Sequence, residues 1–66
     1  MKLFEHLKDK HQIKNDRQLA IALGVGHPVV SRIANGKQTL SAEMILRIHE
    51  TFEMPVKEIK EMVKHD

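Results

Sequence analysis

The chain has 66 residues, no cysteine and a net charge of only +2, which allows one small domain whose folding hides about 60% of the unfolded surface. The lack of cysteine excludes a disulfide framework and a thiolate metal site, and it fits an intracellular setting. No apolar run nears the ~18 residues of a membrane span, and the N-terminal MKLFEHLKDK is too polar for the apolar part of a signal peptide.

A first helix is expected from Lys2 to about His11, with Leu3, Phe4 and Leu7 as its apolar stripe and charge elsewhere. Ile13 comes next as a lone apolar anchor. Asn15 is a good N-cap for the second helix, and Asp16 suits that helix's positive N-terminal end. The second helix runs from about Asp16 to Leu23, with Leu19, Ala20 and Leu23 sharing one face. Gly24 stops it, because glycine enters left-handed backbone without steric cost. Val25 is the apolar residue inside the corner, and Gly26 is a permissible N-cap for a third helix.

That third helix is expected from about His27 to Ala34. Pro28 falls in its first turn, where a missing N–H costs little. Val30, Ile33 and Ala34 face inward, and Asn35-Gly36 ends the helix. The β-branched cluster Val25, Val29 and Val30 suggests a strand, but its shortness and the break at Pro28 argue against one. After the polar loop Lys37-Gln38-Thr39, Ser41 caps a fourth helix from Ala42 to about Glu53. Ala42, Ile45, Leu46, Ile48, His49 and Phe52 mark its buried side, which makes His49 a partly buried, pH-sensitive histidine. Pro55 restarts the chain, and a fifth helix spans about Val56 to Lys64. Its Val56, Ile59, Met62 and Val63 offer more apolar surface than one core-facing stripe needs. That surplus is either a dimer contact or the completion of the monomer's own core. With no repeat, low-complexity tract or linker, residues 1–66 read as one all-α domain of five short helices.

Charge is uneven along the chain. Residues 1–37 carry seven Lys and Arg against three Asp and Glu, for +4, whereas residues 38–66 carry four against six, for −2. A basic side suits a polyanion such as DNA; an ordinary solvated surface fits the same numbers.

No catalytic or metal constellation emerges. His6 and His11 are five residues apart and off one helix face, His49 has no second histidine in register beside Glu50 and Glu53, and no HExxH occurs. Gly24-Val25-Gly26 lacks the third glycine and the preceding strand of a dinucleotide loop. Ser31 and His27 have neither an orienting acid nor an oxyanion site. The methionines Met1, Met44, Met54 and Met62 read as core fillers. No enzyme activity, cofactor or small-molecule ligand is therefore expected.

The stretch 15–36, NDRQLAIALGVGHPVVSRIANG, holds the most information. Two helices three residues apart bury their apolar faces against each other only at a steep angle, which is helix-turn-helix geometry with the motif at about 16–35. The second helix of such a pair projects its outer face away from the protein.

On LAIALGV at 19–25, VVSRIANGK at 29–37 and LRIHETFEMPVKEI at 46–59, the chain resembles the lambda-repressor-like, Cro/C1-type helix-turn-helix family. The likeness covers nearly the whole chain, and more narrowly the chain resembles small phage-type or prophage-type repressor domains. It implies a five-helix DNA-binding domain that acts as a homodimer on two-fold symmetric operators, in the cytoplasm at the nucleoid. Carried over by position, the base-reading residues are His27, Pro28, Val29, Ser31 and Arg32. Arg32 is the strongest reader, since a guanidinium bonds guanine O6 and N7 together. His27 donates to a base or a phosphate, or only caps its helix. Ser31 reads a base or bonds its own backbone, and Val29 touches a thymine methyl or packs near the corner.

Phosphate contacts map to Asn15, Asp16 and Arg17, to Asn35, and to Lys37, Gln38 and Thr39. The chain departs from the family at Asp16, where glutamine is common. A carboxylate there repels DNA unless it only caps the helix, and Arg17 is the substitute. It departs again at Pro28, which has no side-chain donor and reads no base directly. The alternative on the same fold is a protein-interaction module such as an antitoxin, although no toxin-binding tail is evident.

Overall fold

The computed structural model describes residues 1–64. Five helices are joined in sequence by short connections: α1 (Lys2–Lys10), α2 (Asp16–Leu23), α3 (His27–Ala34), α4 (Ala42–Phe52) and α5 (Val56–Lys64). No strand occurs among the described residues. The expected bounds of α2, α3 and α5 hold at both ends. α1 and α4 each stop one residue early, because His11 and Glu53 serve as their C-caps.

The apolar spacing of α1 to α3 fixes which faces are buried. Leu3, Phe4 and Leu7 are at most 1% exposed, and Leu19, Ala20 and Leu23 join them from α2. α3 contributes Val30 and Ile33, α4 contributes Met44 and Ile48, and Met54 and Ile59 close the core. Full burial of one such side chain stabilises the fold by about 1.5–3 kcal/mol relative to exposure. α2 sits centrally, packed against α1, α3 and α4, while α5 packs on α1 and α4 and so ties the two ends together. α3 packs principally on α2, and its other long side is open.

Two expectations about α4 and α5 are corrected. On α4 the buried residues are Met44 and Ile48, while Ala42, Leu46 and His49 are exposed. Successive residues of a helix are 100° apart, so Leu46, two positions from both Met44 and Ile48, points roughly 160° away from each. The flexible Met44 anchors this helix, and apolar spacing alone placed the buried stripe too far round. His49 donates from Nδ1 to the carbonyl of Met54 at 2.7 Å, since a carbonyl can only accept. It thereby closes the turn into α5. On α5, Ile59 is 0% exposed and belongs to the monomer's core, so it cannot contact a second copy. Val56, Met62 and Val63 are half-buried at the edge of that core.

Candidate nucleic-acid interface

The corner between α2 and α3 sets the direction of everything on α3. Asn15 is extended (φ −157°) and its Oδ1 accepts from the Gln18 N–H at 2.9 Å, starting α2 as its sequence predicts. At the other end Gly24 is left-handed (φ 72°), Val25 N–H donates to Ala20 O at 3.0 Å, and Gly24 N–H donates to Ile21 O at 3.2 Å. This pair of bonds is the Schellman ending, which satisfies carbonyls that the helix leaves open. α3 starts from Gly26 and ends the same way: Gly36 has φ 73°, and Lys37 N–H donates to Arg32 O at 2.9 Å. Both ends of the corner are thus fixed by local backbone chemistry.

A long-range contact reinforces it. Arg47 on α4 donates from Nη1 to Leu23 O at 3.3 Å, at the C-terminal turn of α2. A cation there suits the negative end of the helix. The same guanidinium reaches Glu43 at 3.5 Å. Sequence reasoning missed Arg47, since its partner lies 24 residues away and no periodicity links them.

With Val30 and Ile33 turned inward, α3 exposes His27, Pro28 and Arg32, with Val29 and Ser31 half-buried. The Arg32 Nε donates to Gln38 Oε1 at 2.9 Å, which brings the loop after α3 back beside the helix. The two terminal nitrogens of Arg32 have no hydrogen-bond or ion-pair partner among the described residues. A free guanidinium edge of this kind matches the paired acceptors of guanine in the major groove. Asn35 turns its amide back onto Ser31, donating to the backbone O at 2.9 Å, with Oγ at 3.4 Å. The Asn35 donor thus completes the end of α3, and the Ser31 hydroxyl keeps its own proton. Lys37, Gln38 and Thr39 are exposed.

The start of α2 is a separate cluster. Asp16 Oδ1 meets Lys8 Nζ at 2.8 Å, with both side chains about a quarter to a third exposed. This resolves the awkward carboxylate: Asp16 neither caps the helix, which Asn15 does, nor faces solvent as a bare charge. Its side chain is engaged with Lys8 within the protein. In that first turn the Gln18 N–H is taken by Asn15, and the N–H groups of Asp16 and Arg17, which have no intrahelical partner, are the donors available to an anion. Arg17 is exposed beside them. No hydrogen bond or ion pair joins this cluster to α3 among the described residues; Lys8 ties it to α1 instead. Lys8 was not singled out from the sequence, because an eight-residue separation across a linker leaves no periodic signal.

The stretch that carries α2 and α3 is basic along the chain. No Asp or Glu lies between Asp16 and Glu43, while Arg17, Arg32 and Lys37 do. No group of three His, Cys, Asp or Glu able to hold a metal ion occurs among the described residues. No helix there is long and apolar enough to cross a membrane.

Comparison with known proteins agrees with this geometry. A search of curated proteins and one of solved structures each returned no match. Residues 7–59, however, match the model of the helix-turn-helix family. That span includes α2, the corner, α3 and α4, and the chain belongs to the Cro/C1-type helix-turn-helix family of DNA-binding regulators.

Proposed function

We propose that this protein is a sequence-specific regulator of transcription, of the phage or prophage repressor type, that lays α3 in the major groove of an operator. The observation that carries this reading is the free edge of the Arg32 guanidinium on the open side of α3, in a stretch without acidic residues. Arg32 reads guanine, His27 and Ser31 supply further donors, and Val29 offers a methyl contact. Pro28 fixes the helix start and makes no polar base contact. Phosphates are held by the N–H groups at the start of α2, by Asn15 and Arg17, and by Lys37 and Thr39.

The protein acts as a homodimer through the partly exposed Val56, Met62 and Val63 of α5. Two copies of α3 then stand about 34 Å apart, one turn of DNA. Its place of action is the bacterial nucleoid or that of a phage-infected cell.

Selection of binding sites from random duplex DNA tests the reading. The expected winner has two-fold symmetry with half-sites one turn apart, and its affinity falls steeply as salt rises, since released counterions drive phosphate binding. An asymmetric winner overturns the dimer. Equal retention of every sequence overturns specific readout.

A further inference from the structure

We infer that Gln38 is a positioning residue for Arg32, and that the two act as one reading unit. Its place in an exposed loop after α3 suggests only a phosphate contact. The structure adds a hydrogen bond from Arg32 Nε to Gln38 Oε1 at 2.9 Å. The backbone that delivers Gln38 to this point is itself fixed. Gly36 takes the left-handed turn, Lys37 N–H closes onto Arg32 O at 2.9 Å, and the Asn35 amide bonds Ser31 O. Ion pairs among the described residues join Lys8 to Asp16 and Arg47 to Glu43, and none engages the Arg32 guanidinium.

The consequence for recognition is geometric. A guanidinium offers two paired-donor edges to guanine: the two terminal nitrogens, or Nε with one of them. Gln38 occupies Nε, so only the terminal edge remains, and the side chain is held in one pose before DNA arrives. Ordering a long, flexible side chain in advance removes a cost that binding would otherwise carry. The inference rests on the reading of Arg32 as a base contact.

The test measures affinity for the selected duplex and for each single-base-pair variant of it at one ionic strength, with salt slopes. Both side chains are exposed and outside the core, and circular dichroism confirms the fold of each variant. Gln38→Ala is expected to lower discrimination about twofold to tenfold, the worth of one hydrogen bond. The loss falls at the same base pair that Arg32→Ala relaxes, and it disappears in the Arg32→Ala background. Gln38→Glu keeps the acceptor and so keeps discrimination, while its charge weakens binding to every duplex. Gln38→Lys has no acceptor and so loses discrimination while retaining overall affinity.

An equal loss on all duplexes with a flatter salt slope for Gln38→Ala makes Gln38 a phosphate contact and overturns the inference. No change at all overturns it too. If Arg32→Ala is itself indifferent to base pair, the reading of Arg32 has failed and the inference falls with it, which that single control identifies.

Discussion

The helix pairs α2–α3 and α4–α5 are built on similar apolar spacing but are held in different ways. α2 and α3 each end on a glycine in the left-handed region, and each end is closed by a hydrogen bond across five residues. α4 ends on Glu53 in the same region (φ 55°), where a side chain is strained, and its buried face is set by what α5 and α2 press against it. The first pair is therefore specified residue by residue along the backbone. The second is specified by packing. That division suits the work each does: α3 needs a fixed pose for its open side, whereas α4 and α5 need only to fill the space behind it.

The largest expected effect contrasts two positions on α4. Ile48→Ala removes a side chain with no exposure and should cost about 2–5 kcal/mol. A chain of this length has a total stability of roughly 3–10 kcal/mol, so that variant loses a large share of it. Leu46→Ala, at 54% exposure, should stay within about 0.5 kcal/mol of the parent. Urea unfolding monitored by circular dichroism measures both. Equal losses would mean that the face of α4 lies where its spacing alone places it.

Gly24→Ala tests the corner. The added Cβ meets Arg47 Nη1 at 3.6 Å, an ordinary contact, so the expected loss of about 1–2 kcal/mol comes from the left-handed backbone itself. A neutral result in the same urea titration would show that the backbone relaxes there. Arg47→Met keeps the aliphatic stem but deletes the bond to Leu23 O, and should cost about 0.5–1.5 kcal/mol in thermal or chemical unfolding. At the small end, Glu53→Gly relieves a strained cap and should raise stability by up to about 1 kcal/mol, as should Gln12→Gly at φ 59°. A fall in melting temperature for both would locate the strain elsewhere.

The two regions also differ in how much of them the sequence discloses. Asn15, Gly24, Gly26, Pro28 and Gly36 each carry a local conformational preference, and the bounds of α2 and α3 come directly from them. The outward set His27, Pro28 and Arg32, with Ser31 at its edge, is then dictated by the inward Val30 and Ile33. Spacing puts Leu46 on the wrong side and leaves Ile59 open between core and dimer contact, because an amphipathic helix with apolar residues on more than one side can present several faces to a core. Only the neighbouring helices choose among them. Lys8, Arg47 and the Gln38 acceptor were missed for a related reason: each meets its partner across a turn or a different helix, beyond the reach of helical periodicity.

Contact between duplex DNA and the open side of α3, with its flanking loop and the start of α2, is read out by titrating isotopically labelled protein with the selected duplex and tracking backbone amide shifts. The expected changes concentrate in the first turn of α2, in α3 and in residues 35–39, at an ionic strength where an unrelated duplex produces much weaker ones. Changes centred on Leu46 and α5, or none with any duplex at low salt, would contradict that contact.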